Sequence, residues 1–303
     1  QSAIIDIVQQ EVKVVVYAAL PPGFMKAFNG PFENKYGITV EYWRASATGV
    51  LDRALNEWRV GKPAFDIIEG NKGPQMILKK EGVFSKFQPP SAINFPRQFL
   101  EADGILTPWR FNPISIIYNT DLVKKEDLPK SFADLLLARW KNKITMPDPS
   151  RHTTTAQFLS NLDKYDGVKW KEFAKGLAQQ QPLFVESFAP IVNTVIRGEA
   201  PLGIAYLKYV AQFKGPLDYV RLNKYLADTN YLGVSNRAPH PNAGKLYIEY
   251  IWSPEGQKAI AIAGEFVLSP NVAPAIQGAA QVAQSTLFMD EPSAEEFKQL
   301  RDE

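Results

Sequence analysis

The sequence predicts an α/β fold organised in two domains. Short apolar runs rich in β-branched residues alternate with helical patterns along the N-terminal part of the chain. This order builds a parallel sheet with right-handed crossovers. The chain of 303 residues exceeds one typical domain, and its hydrophobic content of 45% is enough for a substantial core.

The first elements follow a β-α-β-α-β order. The run KVVVYA at Lys13–Ala18 is short and β-branched, which is typical of a buried strand. A Pro-Pro-Gly turn then starts a helix with phenylalanines at helical spacing, and this helix ends near Gly37. Strands at residues 38–43 and 65–69 are expected on either side of a helix over residues 46–58.

The chain is then expected to enter a second domain. The later elements are predicted as strands over 105–111 and 114–119, a helix over about 132–139, a strand over 143–146, a helix opening within 148–155, a strand over 202–206 and a return strand over 229–234. No flexible linker is visible, so continuous strands should join the domains. We assign residues 1–110 and 232–303 to the first domain and 111–231 to the second.

A helical hairpin is predicted over residues 237–262. A Pro-Asn pair precedes an apolar run that suits one buried helix face. Ser253 then fits the N-cap of a second helix, with Pro254 at its first position and Glu255 in its first turn.

Composition excludes several functional classes. The net charge of +2 comes from interspersed residues, so no nucleic-acid footprint is present. The absence of cysteine excludes disulfides and thiolate chemistry, and two histidines cannot form a multi-histidine metal site. No P-loop, dinucleotide fingerprint or nucleophile elbow occurs, so we expect no cofactor and favour binding over catalysis.

Six segments occur in a specific order: the opening strand and helix, FDIIEG, PISIIYNTDLV, KITMPDPS, GEAPLGIAY, and the pair APHPNA and SPEGQ. Each is weak alone. Their order and spacing resemble the extracellular (periplasmic) solute-binding proteins that serve ABC importers, nearest the iron(III)/thiamine/phosphonate-type branch. The resemblance covers nearly the whole chain.

The resemblance implies a two-lobed periplasmic-binding-protein fold of type II-like topology. Each lobe would be a mainly parallel sheet flanked by helices, and hinge strands would join the lobes. It also implies a monomer that docks on a membrane permease. The expected location is periplasmic, or extracellular with a tether. Residues 1–10 look like a mature start after signal removal, and they equally fit a cytoplasmic protein.

Two strand-to-helix turns carry the groups of an anion site. The residues are Ser46 and Thr48 in the first domain and Ser150, Arg151, His152 and Thr153 in the second. A helix start favours negative charge by about 0.3–1 kcal/mol. An arginine can grip a carboxylate or phosphate with two parallel hydrogen bonds. Simple helix capping, with solvated basic side chains, also fits both turns.

A carboxylate and two tyrosines stand where the resembled ferric proteins place metal ligands. Glu69 ends the third strand, and Tyr206 and Tyr209 follow the second-domain strand. Lys208 replaces a neighbouring tyrosine, and its positive charge repels a trivalent cation and attracts an anion. We expect no metal; if the ligand is ferric iron, Glu69, Tyr206 and Tyr209 would bind it. Glu69 also fits a pair with an arginine or an ammonium group.

Four further residues are expected near the ligand. Tyr17 lies at the end of the first strand, Trp109 and Arg110 border the hinge, and Asn193 precedes the strand over 202–206. Aromatic rings there can stack on a ligand, although most tryptophans belong to a core.

The expected function is capture of a small organic anion, bearing carboxylate or phosphate, between the lobes by hinge closure and delivery to the permease. A ferric iron-binding protein of an Fe(III) importer is the alternative. An enzyme on the same scaffold is a remote one, because no nucleophile–base pair occurs at recognisable spacing.

Overall fold

The computed structural model describes residues 11–299 apart from 96, 98, 99, 166, 294 and 297. The strands are β1 (Lys13–Ala18), β2 (Thr39–Arg44), β3 (Ile67–Asn71), β4 (Leu106–Asn119), β5 (Ile144–Pro147), β6 (Leu183–Val185), β7 (Leu202–Tyr206), β8 (Leu217–Tyr219), β9 (Tyr225–Val234), β10 (Phe266–Val267) and β11 (Thr286–Phe288). The expectation about a mature start concerns residues 1–10, which lie outside this description.

The helices are α1 (Pro22–Tyr36), α2 (Ala47–Arg59), α3 (Lys72–Lys80), α4 (Thr153–Ser160), α5 (Trp170–Gln179), α6 (Phe188–Ile196), α7 (Tyr209–Gln212), α8 (Pro241–Trp252), α9 (Pro254–Ile262) and α10 (Ala279–Gln284). Short 3₁₀ helices lie at Pro90–Asn94, Lys125–Asp127, Ala133–Leu136, Ala138–Trp140 and Leu162–Lys164. Within the described part of the chain, no helix is long and apolar enough to cross a membrane.

The chain divides into two compact units. Unit 1 runs to Phe111 and resumes over Thr229–Pro274, and unit 2 takes Asn112–Asp228 and the segment from Ala275 onward. The C-terminal segment thus belongs with unit 2, whereas the sequence assigned it to the first domain. The physical reason is β11, which pairs in parallel with the start of β9.

Unit 1 is built on a largely parallel sheet. Strand β1 pairs in parallel with both β2 and β3, while β9 closes the far side of β3 antiparallel. The predicted parallel β-α-β-α-β arrangement is therefore confirmed. In such a sheet the carboxyl ends of β1, β2 and β3 lie at one edge, where helices α2 and α3 begin.

Helix α1 covers one part of the core of unit 1. Phe28 and Phe32 are almost fully buried, and Phe32 packs edge-on against Tyr247 of α8. Burying each phenylalanine contributes roughly 1.5–3 kcal/mol. The helix ends at Gly37, which has a φ of 66° and donates its N–H to the carbonyl of Glu33.

The predicted hairpin of α8 and α9 is also confirmed. The Ser253 Oγ accepts the N–H of Gly256 at 3.1 Å, and Pro254 opens α9. A Cβ at Gly256 would clash with the carbonyl oxygen of Tyr250, so the tight approach of the two helices requires a glycine there.

The strands of unit 2 pair in a mixed arrangement. Strand β7 pairs antiparallel with the second half of β4 and parallel with β5, and β5 pairs in parallel with β6. The carboxyl ends of β5, β6 and β7 therefore share one edge.

Two predicted elements differ in the structure. Residues 106–119 form one strand and not two. Pro113 cannot donate to a sheet ladder, but it lies between the stretch paired with β10 and the stretch paired with β7, so the strand continues through it. The prediction of one helix over about 132–139 was wrong, because two 3₁₀ helices flank an extended Leu137. Leu135 and Trp140 are both buried, and one α-helix would point them about 140° apart.

Candidate functional site

The carboxyl edge of the parallel strands in unit 2 brings candidate residues from three elements together. The His152 ring at the start of α4 meets Phe188 of α6 at 4.9 Å, edge to face. Phe188 meets Tyr206 of β7 at 4.6 Å, and Tyr206 lies 5.9 Å from Tyr209. Phe188 was not predicted from the sequence; its place directly after a serine that precedes a helix was the available signal.

His152 is the N-cap of α4. Its Nδ1 accepts the N–H of Thr155 at 3.3 Å and lies 2.8 Å from the Thr155 Oγ1. Burial lowers the pKa of His152 to about 4. The first-turn N–H groups of Thr153 and Thr154 point out of the helix start, as in every α-helix, and are free to bind an anion.

The loop before α4 is organised by Asp148, a residue that the sequence analysis did not single out. Its Oδ1 accepts the hydroxyl of Ser150 at 2.7 Å and the backbone N–H of Ser150 at 2.9 Å. The hydrogen bond from the Ser150 side chain lowers the pKa of Asp148. Arg151 extends into solvent, with 86% of its side chain exposed, 3.8 Å from Asp148. An Asp-Pro-Ser sequence is typical of such a side-chain-supported turn.

Lys208 points inward and is 7% exposed. Its Nζ donates to the Asn112 Oδ1 at 3.0 Å and lies 5.4 Å from the centre of the Tyr206 ring. The Tyr206 hydroxyl donates to Asp228 at 3.1 Å. A buried ammonium group therefore stands beside the tyrosine pair.

Asn193 lies apart from this edge. It is exposed and six residues beyond Ser187, the N-cap of α6. At about 1.5 Å per residue it stands roughly 9 Å along the helix from the start of α6.

In unit 1, Glu69 is held by neighbouring protein groups. Its Oε1 accepts the side-chain N–H of Asn230 at 2.9 Å and lies 3.5 Å from the Arg110 Nη2. Arg110 also donates to Glu265 at 2.9 Å. Burial raises the pKa of Glu69, and the Arg110 charge opposes that rise. One guanidinium thus holds two buried carboxylates.

Two aromatic candidates of unit 1 lie among core side chains. Trp109 is 1% exposed and packs on Phe28 at 5.6 Å. Tyr17 is 2% exposed, and its hydroxyl donates to Glu57 at 3.0 Å. Burial raises the pKa of Tyr17 to about 12.

The helix start of α2 has the predicted N-cap. The Ser46 Oγ accepts the N–H of Gly49 at 3.1 Å, and Thr48 is exposed. Capping accounts for the Ser46 hydroxyl, while the first N–H groups of the helix remain available.

A metal centre built from histidine and carboxylate side chains does not occur among the described residues. The model of one family, Bacterial extracellular solute-binding protein, matches residues 63–291 of the chain. The chain belongs to this family.

One relative agrees with that assignment. The Sinorhizobium fredii protein named "Probable ABC transporter periplasmic-binding protein y4fP" is 29% identical over 130 residues, which are 43% of this chain and 36% of that relative. The match therefore spans about a third of the relative's length.

Solved structures share the fold of this family member over nearly its whole length. The substrate-binding protein of an Agrobacterium tumefaciens ABC transporter is similar with a TM-score of 0.81 at 18% identity, covering 96% of this chain and 93% of that one. Iron-bound HitA from Pseudomonas aeruginosa gives 0.76 at 17% identity, covering 96% and 98%. AfuA from Actinobacillus pleuropneumoniae, with fructose-6-phosphate bound, gives 0.74 at 17%, covering 96% of each. The two-lobed α/β periplasmic-binding-protein fold is thus shown.

Proposed function

We propose that this solute-binding protein captures a small organic anion, bearing a carboxylate or a phosphate, for an ABC importer. The anion would bind at the carboxyl edge of β5, β6 and β7, at the start of α4 and beside the tyrosine pair. The protein would then deliver it to a membrane permease from the periplasmic or extracellular side. Capture between the lobes by hinge closure stays a prediction.

The buried ammonium of Lys208 is the observation that carries this proposal. It is fixed by Asn112 and lies against the Tyr206 ring, within unit 2. The ammonium charge opposes a trivalent cation at the tyrosine pair, and the Asp228 carboxylate on the Tyr206 hydroxyl weakens this repulsion in part. The ammonium charge attracts a carboxylate or phosphate. The first N–H groups of α4 add a second favourable field for an anion.

Ferric iron is the second candidate, because iron-bound HitA shares this fold. It would need Glu69, Tyr206 and Tyr209 as ligands. Two of these are engaged by protein partners: Glu69 by Asn230, and Tyr206 by Asp228. Iron would have to replace these hydrogen bonds and offset the charge of Lys208.

Isothermal titration calorimetry of ligand-stripped protein tests the proposal. The titrants are citrate, fructose 6-phosphate and inorganic phosphate, each without metal, and ferric nitrilotriacetate in a separate run. We expect at least one anion to bind in the micromolar range, about −8 kcal/mol, which a few charge-assisted hydrogen bonds can supply. Tight ferric binding with no metal-free anion binding would overturn the proposal.

A further inference from the structure

His152 has one ring nitrogen fixed by the protein and one left for a ligand. Its Nδ1 accepts the backbone N–H of Thr155 at 3.3 Å. The same N–H also donates to the His152 carbonyl oxygen at 3.0 Å, so it is shared between the two acceptors. A backbone N–H can only donate, so this geometry favours a lone pair on Nδ1 and places the ring proton of a neutral imidazole on Nε2. The Nδ1 lies 2.8 Å from the Thr155 Oγ1, which fits a second donor. Among the described residues Nε2 has no hydrogen-bond partner.

Three physical effects keep this ring neutral. Burial lowers the pKa of His152 to about 4. A second proton would place an Nδ1–H against the N–H of Thr155 and remove the cap. The positive end of the α4 dipole also disfavours an imidazolium ion at the helix start.

The charged groups on adjoining elements do not change this result. Arg151 and Asp148 belong to the loop before α4, and Arg151 extends into solvent. The Phe188 ring separates Tyr206 of β7 from His152. Lys208, in the turn after β7, lies over the Tyr206 ring. Burial is the sole cause of the lowered pKa of His152, without a contribution from an ionised neighbour.

The plane of the ring is fixed as well. Phe188, which is 2% exposed, meets the imidazole edge to face with an interplanar angle of 77°. Together with the Nδ1 contacts, this packing holds the direction in which the Nε2–H points.

We propose that His152 is a permanently neutral Nε2–H donor that selects an acceptor oxygen on the solute. This inference rests on the proposed function and deepens it. A carboxylate or phosphate oxygen satisfies the donor together with the first amides of α4, whereas an ammonium or other donor group meets a second donor and is rejected. His152 thus sets specificity without carrying charge, so acidification from pH 8 to pH 5 does not strengthen its contact with the anion.

Nitrogen NMR of the full chain tests the tautomer directly. The chain has two histidines, so the His152 signals of ¹⁵N-labelled protein are identified by their loss in a His152→Asn variant. We expect a protonated Nε2 and an unprotonated Nδ1, both unchanged between pH 5 and pH 8. A proton on Nδ1, or titration with a midpoint near 6.5, would overturn the proposal.

A matched pair of variants tests the ligand contact with citrate, fructose 6-phosphate and inorganic phosphate. His152→Asn keeps an N-cap acceptor and loses the Nε2–H, so its melting temperature should hold while affinity for the bound anion falls about tenfold or more. His152→Gln can replace the donor without the cap, so it should lose stability and retain more affinity. Unchanged affinity in a folded His152→Asn variant overturns this inference alone. Failure of the wild type to bind any of the three anions overturns the anion proposal and this one together.

Discussion

At the scale of the residue, His152 contributes to the pH dependence of the free energy of unfolding. Its pKa is about 4 in the folded protein, against an ordinary value of 6.5. Between these values the unfolded chain binds more protons, so stability rises with pH and is lost as pH falls from 6.5 to 4. The difference corresponds to at most about 3 kcal/mol.

We therefore expect His152→Asn to lose less stability on acidification than the wild type. Urea unfolding at pH 7.5, 6, 5 and 4.2 measures it. The free energy of unfolding of the wild type should fall more steeply by up to about 3 kcal/mol across this range. Equal pH slopes in the two proteins would show that His152 titrates normally in the folded state.

Lys208 carries the second prediction at this scale. Lys208→Met keeps the volume of the side-chain stem and removes the charge, so the affinity for the anion should fall at least tenfold, about 1.4 kcal/mol. The melting temperature has to be measured beside the affinity, because the variant also loses the hydrogen bond from Lys208 to Asn112. Calorimetry and thermal unfolding measure both quantities.

Lys214→Met is the matched control, since Lys214 is an exposed lysine of the same unit. It should leave affinity and stability unchanged. An unchanged affinity in Lys208→Met would remove the main support for an anionic solute.

At the scale of the element, Arg110 joins β4 to β3 and to Glu265. Its guanidinium holds two buried carboxylates, and removing it leaves both without their cation. Arg110→Met should cost about 3–5 kcal/mol of unfolding free energy, while the exposed Arg59→Met should cost under about 0.5 kcal/mol. Denaturant unfolding compares the two variants. A loss below 1 kcal/mol in Arg110→Met would contradict the importance of this ion cluster.

Two helical glycines, Gly256 in α9 and Gly23 in α1, give predictions of opposite sign. Gly256→Ala forces a Cβ against the Tyr250 carbonyl and should cost about 2–3 kcal/mol. Gly23→Ala, in the first turn of α1 with open space around it, should stabilise by about 0.4–1 kcal/mol. Thermal unfolding reports both changes. A tolerated Gly256→Ala would mean that α8 and α9 approach less tightly.

The elements show how far local signals reach. The strands of unit 1, the Ser253 cap and the end of α1 at Gly37 follow from β-branching, capping chemistry and glycine geometry, and the sequence predicts them. The single strand through Pro113 depends on which neighbours pair on either side of it. The two 3₁₀ helices around Leu137 depend on two buried side chains that the sequence alone does not relate.

At the scale of the whole molecule, the family could be predicted from the order of six short segments. The assignment of the C-terminal segment could not, because it depends on pairing between β11 and β9, distant in sequence. The same holds for the site. The helix starts were predictable from hydroxyl and basic residues, whereas the inward Lys208 and the Phe188 ring between His152 and Tyr206 required the packing.

The central claim is that the protein carries a metal-free organic anion. Native mass spectrometry of the protein as purified, compared with the denatured chain, tests it most directly, because a solute held between purification steps adds its own mass. We expect an added acidic molecule that is released on denaturation, and a colourless protein after exposure to ferric citrate. An added mass of iron, with a visible phenolate-to-iron absorption band, would contradict the account.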